Sequence, residues 1–230
     1  MPPDDATPPL VATRVWDLPT RLFHWLLAAC VVGLVITGNI GGNAIEWHMR
    51  LGLMVGALLV FRLLWGVLGG RWSRFTSFLY SPAALGRYLR GRSLPHDRFD
   101  IGHNPLGSFS VFAVLGVLLL QVATGLVADD EIATTGPLNR FVSGATAGLA
   151  TSWHKGYGPW LIYALTALHV VAIVYYVRWK RQTLVRAMWH GDKLLPAGTP
   201  PSADHLVSRT LAGLIALACA ASAVWVYRLG

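Results

Sequence analysis

Five long apolar blocks, separated by polar segments, dominate the hydrophobic pattern of the chain. They cover about residues 22–40, 47–69, 106–127, 159–177 and 206–227. A helix needs about 20 apolar residues to cross a bilayer, and the blocks approach or exceed that length. The first block runs too long for a signal peptide and lacks an A-x-A cleavage site, so we expect it to be retained. The pattern predicts an all-α integral membrane protein.

Composition supports the membrane assignment. Hydrophobic residues make up 54% of the 230-residue chain and charged residues 13%, against about 25% charged residues in soluble domains. The formal net charge is +8, but the basic residues are concentrated in particular loops. In a membrane protein such loops indicate orientation. We therefore expect membrane lipid, and no nucleic acid, among the partners.

The charges of the loops predict how the chain lies in the membrane. The loop over residues 71–104 carries six arginines against two aspartates, and the segment over residues 178–205 is also basic, whereas the loop over residues 128–153 is acidic. Positively charged loops stay in the cytoplasm, so the N-terminus is expected inside and the C-terminus outside. Residues 1–13 are Pro-rich and polar and are predicted to form a disordered tail. Residues 196–230 are predicted to form a linker and an extra membrane-spanning helix.

Four of the eight histidines fall inside or at the mouths of apolar blocks. His24 lies one turn into the first block, and His169 lies about eight residues from the cytoplasmic end of the fourth, so the two share a depth. His48 opens the second block and His154 precedes the fourth, both on the outer side. We define His24 with His169 as the inner pair and His48 with His154 as the outer pair. Ionisable residues at membrane depth are costly and usually functional.

Two histidines on facing helices can bind one haem iron from opposite sides. Two such pairs predict two haem b groups stacked across the bilayer, because the chain has no CxxCH motif for covalent attachment and no CxxC cluster for zinc or iron–sulfur. There are two alternatives: a single histidine near a helix end is often an interfacial residue, and histidines can form a proton relay in a transporter. The other four histidines are expected to be solvated: His96, His103, His190 and His205.

Polar and small residues within the blocks add further expectations. Arg62 lies near one end of the second block, where a long basic side chain can extend to the interface or neutralise a buried anion such as a haem propionate. Gln121 interrupts the third block and can hydrogen-bond to another helix. Six glycines allow tight packing and leave room for flat cofactors: Gly33, Gly38, Gly52, Gly56, Gly116 and Gly125.

Several motifs, in the same order along the chain, resemble the bacterial cytochrome b561 family, which includes the b-type cytochrome subunits of nickel–iron hydrogenases. RVWDLPTRLFHW over residues 14–25 resembles the opening of that family. FRLLWG over residues 61–66 resembles the end of its second helix, and GHNPLG over residues 102–107 the start of its third. His154 and His169 resemble the two haem ligands on its fourth helix.

This resemblance implies that residues 14–195 form a four-helix transmembrane bundle holding two b-type haems, with the fifth C-terminal transmembrane helix outside it. By motif position, the expected cofactor-binding residues are His24, His48, His154, His169, Arg62 and Asn104. The histidines are expected to be the metal ligands, and the last two residues to lie near the propionates.

Members of this family carry single electrons between the quinone pool and partner redox proteins. The resemblance therefore implies an electron-transfer protein or a subunit of an oxidoreductase complex. The expected partners are quinone and a redox protein, either a cytochrome or a dehydrogenase or hydrogenase subunit. A superoxide or quinone oxidoreductase on the same scaffold is an alternative. The expected location is the bacterial inner (plasma) membrane, as a multi-pass protein.

The chain departs from the family pattern in the fourth helix. The two histidines there usually stand fourteen residues apart, and His154 and His169 stand fifteen apart. In a regular helix one more residue turns the first ligand by about 100° relative to the second. Gly156, Gly158 and Pro159 lie between them, and we expect a bulged helix mouth that re-aims His154. The fifth helix is a second departure, and we expect it to pack against the bundle or a partner.

Overall fold

The computed structural model describes residues 8–92, 94, 97, 99–132 and 134–230. Among these residues, five helices are long and apolar enough to cross a membrane. They confirm the prediction of an all-α membrane protein with five spans. Of the histidines predicted to be solvated, His190 and His205 are exposed. Two further predictions, for His96 and for residues 1–7 of the tail, lie outside the described residues.

The helices and strands have the following bounds. The long helices are α1 (Leu18–Ile40), α2 (Ile45–Leu68), α4 (Pro105–Val127), α6 (Gly158–Arg178) and α8 (Leu206–Tyr227). The short helices are α3 (Pro82–Leu89), α5 (Gly144–Ser152) and α7 (Leu184–His190). The strands are β1 (Leu10–Arg14) and β2 (Asp192–Pro196).

Polar caps fix where two of the long helices begin. Asp17 caps α1 by accepting a hydrogen bond from the N–H of Thr20 at 2.9 Å. Asn104 caps α4 in the same way, through the N–H of Gly107 at 2.8 Å. A proline follows in the first turn of each helix, where its missing N–H is not needed. The cap on α1 places His24 in the second turn.

Helix α2 is the centre of the bundle, because α1, α4 and α8 all pack against it, while α6 packs against α4. The shared core gathers apolar side chains from α1, α2, α4 and α8, among them Leu27, Leu59, Leu118 and Cys219. Both cysteines, Cys30 and Cys219, are free and buried, so they act as small apolar residues. The contact of α8 with α2 agrees with the expectation that the fifth helix packs against the bundle.

The fourth span begins earlier than the sequence predicted. The expected start was residue 159, but α5, a π-helical turn over Trp153–Tyr157 and α6 form one helical run over Gly144–Arg178. The π turn is the bulge that the spacing of the histidines predicted. A π turn takes up one extra residue, so it offsets the fifteen-residue spacing.

A small sheet closes the end of the bundle that carries the N-terminus. Strand β1 pairs with β2 in antiparallel register, from Leu10 opposite Pro196 to Arg14 opposite Asp192. The predicted disorder of the tail therefore does not extend to residues 10–13. Main-chain hydrogen bonds to a distant segment order this stretch, and it is too short to show a periodic pattern in its own sequence.

Asp204 connects this sheet to α1 and α8. Its carboxylate accepts hydrogen bonds from the N–H of Leu18 at 3.1 Å and from Arg209 at 3.0 Å, and it pairs with Arg14 at 3.1 Å. We name these four residues the Asp204 clasp. Burial alone raises the pKa of Asp204, but the hydrogen bonds and the positive charges outweigh burial and hold the pKa below its ordinary value.

Candidate functional site

The inner pair joins α1 and α6. The ring centroids of His24 and His169 lie 6.4 Å apart, with the ring planes at 50°. The Nδ1 atom of His24 is buried and has no hydrogen-bond partner among the described residues. Two histidines that share a depth in the sequence thus face each other in the structure.

The outer pair joins α2 to the π turn. The ring centroids of His48 and His154 lie 6.0 Å apart, and the planes are nearly perpendicular at 89°. Both pairs therefore have the partners expected from depth along the helices. The fifteen-residue spacing does not prevent His154 from facing His48, since the π turn lies at His154 itself.

The spacing within each pair fits a shared metal ion. A bond from an imidazole nitrogen to a metal is about 2.0 Å long and the ring centroid lies about 1.1 Å behind the nitrogen, so two coaxial ligands hold their centroids about 6.2 Å apart. Within the described parts of the chain, no group of three or more His, Cys, Asp or Glu side chains is arranged to hold a metal. Two nitrogens on opposite sides, with a porphyrin supplying the other donors, are the ligand set of haem iron. Both pairs fit haem by this test.

Backbone carbonyls fix the ring orientation in the outer pair. The Nδ1 atom of His154 lies 2.8 Å from the carbonyl oxygen of Gln121, and that of His48 lies 3.1 Å from the carbonyl oxygen of Leu34. A carbonyl can only accept, so we assign the ring proton to Nδ1 in both, which leaves a lone pair on each Nε2. Metal-ligating histidines usually make such a second contact, which orients the ring and raises its basicity.

Two glycines make room for the outer rings. A Cβ atom on Gly125 would lie 2.6 Å from Cε1 of His154, and one on Gly38 would lie 3.1 Å from Cε1 of His48. The sequence identified both glycines as packing residues without indicating what packs on them. A Cβ on Gly116, on the same helix as Gly125, would meet nothing within 4 Å. Gly125 and Gly38 therefore make space for histidine rings, whereas Gly116 does not lie against another side chain.

A buried guanidinium lies at the inner end of α2. Arg62 is 3% exposed, and its guanidinium carbon lies 4.6 Å from the centre of the Phe75 ring. Its Nη1 atom has no hydrogen-bond partner in the described part of the chain. The side chain does not extend into solvent, and the buried carboxylate of Asp17 lies within electrostatic range of it as a counter-charge. A place for Arg62 beside a haem propionate stays a prediction.

Asn104 and His103 stand side by side before α4 but differ in their contacts. Asn104 uses its side-chain oxygen to cap the helix, and its place near a propionate stays a prediction. The expectation that His103 is solvated is wrong, because its ring lies between Trp16 and Phe78, with centroids 4.7 and 4.6 Å away. Burial, followed by the positive charge of Arg62, lowers the pKa of His103 to about 3. The ring is therefore neutral at pH 7.

A buried carboxylate that the sequence did not single out links two of the motifs. Asp17 is fully buried. Besides capping α1, it accepts hydrogen bonds from the indole N–H of Trp65 at 3.1 Å and from the hydroxyl of Ser73 at 2.6 Å. These bonds connect the motif over residues 14–25 with the one over residues 61–66, and they hold the start of α1 against the end of α2. The sequence signal that could have identified Asp17 is its position as an acidic residue between the apolar residues Trp16 and Leu18.

The chain is similar to a known family over most of its length. A family model described as prokaryotic cytochrome b561 matches residues 15–191, which include both histidine pairs. One similar protein is the probable Ni/Fe-hydrogenase 1 B-type cytochrome subunit of Escherichia coli (strain K12), 25% identical over 195 residues that cover 70% of this chain and 82% of that protein. Another is the probable Ni/Fe-hydrogenase B-type cytochrome subunit of Cupriavidus necator, 26% identical over 212 residues that cover 78% and 86%.

Proposed function

The chain belongs to the prokaryotic cytochrome b561 family, and we propose that it is a membrane b-type cytochrome that holds two haem b groups and passes single electrons through the bilayer. The observation that carries this proposal is the pairing of four imidazoles, with centroids 6.4 and 6.0 Å apart, across the bundle. If each pair supplied two imidazole ligands to a haem, the iron would have no open position, and such a centre would suit electron transfer rather than bond-making at the metal.

In this proposal the protein holds and tunes the cofactors. His24 and His169 bind one haem, and His48 and His154 bind the other. When bound, haem supplies an iron that takes up and releases one electron. The carbonyls that accept from the outer rings keep each Nε2 free for the metal and increase its basicity. Arg62 neutralises a propionate, and its buried charge favours the reduced state of the inner centre.

The proposed partners lie at the two faces of the membrane. The similar proteins of E. coli and C. necator are named as subunits of Ni/Fe hydrogenases, which supports a hydrogenase as the redox protein. Quinone is the proposed partner at the other interface, because a lipid-soluble carrier can approach a haem edge from the bilayer. The proposed location is the bacterial inner membrane, and the basic loops support a cytoplasmic N-terminus.

Reduced-minus-oxidised visible spectra, combined with haem extraction, test this proposal. The purified membrane protein is expected to contain two non-covalent haems per chain, both with the spectrum of low-spin, six-coordinate iron. A preparation that binds no haem, or only one haem per chain under saturating supply, contradicts it.

Single alanine substitutions test the ligands. His24→Ala and His169→Ala are each expected to remove the inner haem, and His48→Ala and His154→Ala the outer haem. His190→Ala is the control, because this histidine is exposed, and it is expected to keep both haems. If the two variants of one pair remove different haems, as judged by the midpoint potential of the haem that stays, the proposed pairing is wrong.

A further inference from the structure

The π turn and the proline that follows it remove the helical donor expected for the backbone carbonyl of His154. In a π turn a carbonyl accepts from the N–H five residues ahead, and here the N–H of Gly158 donates to the carbonyl of Trp153. The next carbonyl in this series is that of His154, whose donor would be residue 159. Pro159 has no N–H to donate. A backbone acceptor at membrane depth needs another partner.

Gln121 of α4 supplies the missing donor. Its side-chain amide nitrogen donates to the carbonyl oxygen of His154 at 2.9 Å. Its own backbone carbonyl accepts from Nδ1 of the His154 ring at 2.8 Å. One residue therefore holds both the backbone and the imidazole of the same histidine.

Gly158 makes this contact possible. A Cβ atom on Gly158 would lie 1.8 Å from Oε1 of Gln121, so the carboxamide packs directly on the glycine. Oε1 is buried and has no partner in the part of the chain that the structure describes. The amide N–H bond to His154 is thus the contact that orients the carboxamide. A Cβ on Gly156, two residues earlier, would meet nothing within 4 Å.

We infer that Gln121 is a positioning residue for the outer pair, which replaces the N–H that Pro159 lacks and so holds His154 in the orientation that the outer haem requires. The inference rests on the proposed function, because the orientation of His154 matters in this way only for a ligand. The extra residue between the histidines shifts the helix register, and Gln121 satisfies the carbonyl that this shift exposes. The fifteen-residue spacing and the hydrogen bond from Gln121 therefore depend on each other.

The first test replaces Gln121 by methionine, which has a similar length and no N–H. The electron paramagnetic resonance signal of a low-spin haem depends on the orientation of its axial rings, so the signal of the outer haem is expected to shift. Loss of a contact around a metal ligand weakens binding about tenfold or more, so the outer haem is also expected to transfer faster to apomyoglobin. The inner haem signal is expected to stay unchanged, which shows that the bundle has folded.

Gln182→Met is the matched control, because it makes the same change in the only other glutamine of the chain. It is expected to leave both haem signals at their wild-type positions. An unchanged outer haem signal in Gln121→Met overturns the inference, as does an equal shift in both variants.

A pair of glycine variants tests the same contact without changing Gln121. Gly158→Ala displaces the carboxamide from His154 and is expected to reproduce the signal shift of Gln121→Met. Gly156→Ala is expected to leave both signals unchanged, since its Cβ meets open space. The inference fails if Gly158→Ala keeps the wild-type outer signal, or if the two alanine variants shift it equally.

Failure of this inference and failure of the proposed function give different results. If His154→Ala keeps both haems, the proposed function is wrong for that ligand, whatever Gln121→Met does. If His154→Ala loses the outer haem while Gln121→Met and Gly158→Ala leave its signal unchanged, only the positioning role of Gln121 is wrong.

Discussion

The inner and outer pairs hold their imidazoles at similar separations, 6.4 and 6.0 Å, but their surroundings differ. In the outer pair, both Nδ1 atoms lie within hydrogen-bond distance of backbone carbonyls, and both rings pack on glycines. In the inner pair, Nδ1 of His24 has no partner among the described residues. That pair instead lies within electrostatic range of His103, which the charge of Arg62 also reaches.

In the proposed cytochrome, this difference corresponds to two ways of controlling a redox centre. Carbonyls and glycines act through contact, on the orientation and basicity of a ligand ring. A buried charge acts over a longer distance, on the relative energies of the oxidised and reduced states. We therefore expect the outer pair to respond most strongly to changes of shape and the inner pair to changes of charge.

The largest expected effect is on the outer pair. In Gly125→Ala the new Cβ lies 2.6 Å from the His154 ring, so the ring must move and the protein is expected to retain about one haem per chain in place of two. Gly116→Ala makes the same change on the same helix, where the Cβ meets nothing within 4 Å, and is expected to retain both. Haem extraction measures the ratio. Loss of the inner haem in Gly125→Ala would contradict the expectation that changes of shape at this glycine affect the outer pair.

The next effect is on the inner pair. Arg62→Gln removes a buried positive charge that favours reduction, so the midpoint potential of the inner haem is expected to fall by about 60 mV, which corresponds to a tenfold change in a one-electron equilibrium. Arg50→Gln is the control on the same helix, because Arg50 is exposed and paired with Glu46. Potentiometric titration of both haems separates the two variants. A larger shift of the outer than of the inner potential in Arg62→Gln would contradict the assignment.

Acid is expected to lower the stability of one end of the bundle more than that of the other. The more sensitive end holds the inner pair, because the Asp204 clasp lies there. The pKa of Asp204 is held below its ordinary value in the folded protein, so the unfolded chain binds more protons once the pH falls below about 4. The stability that the clasp contributes is present above that pH and lost below it. Thermal release of the inner haem is expected at lower temperature below about pH 4.

Asp204→Asn provides the control for this pH dependence. The variant lacks the titrating carboxylate, so the release temperature of its inner haem is expected to change less between about pH 6 and pH 3 than in the wild type. The same pH dependence in both proteins would show that other groups cause it.

The smallest expected effect concerns a second acceptor in the outer pair. The hydroxyl oxygen of Thr37 lies 3.3 Å from Nδ1 of His48, but its proton goes to the carbonyl of Gly33 at 2.7 Å, and the carbonyl of Leu34 is nearer to the ring. Thr37→Val is therefore expected to change the energy of the outer centre by about 0.5 kcal/mol or less, measured as a small shift of its potential. A shift as large as that of Arg62→Gln would mean that the hydroxyl is the main acceptor.

The depth of each histidine was sufficient to predict both pairs, because a helix rises by a fixed distance per residue. The spacing between His154 and His169, one residue longer than is usual in the family, predicted the bulge together with the glycines and Pro159 between them. An extra residue in a helix must either rotate the ring or be taken up by a wider turn. These predictions depend on positions within single helices, which the sequence records directly. The start of the fourth helix was harder to predict, because residues 144–152 consist mainly of small residues, with two glycines and three hydroxyl residues, and contain only one of the long apolar side chains that mark the other spans.

Contacts between distant segments could not be predicted in the same way. The ring of His103 is buried by Trp16 and Phe78, and neither residue is near it in the sequence. Gly125 and Gly116 look alike in the chain, yet only Gly125 lies against a histidine ring. Hydrophobic periodicity reports which residues avoid water, but the packing of helices decides which residues meet.

The pairing of β1 with β2 has a consequence for how the protein is made. Strand β1 leaves the ribosome before its partner over residues 192–196, and four membrane spans lie between them. Asp204, which receives the N–H of Leu18, follows later still. Helix α1 is therefore synthesised before the segments that bind its N-terminal end, namely β2 and Asp204. Closure of that end is a late step of biosynthesis, and only a chain translated past residue 204 can complete it.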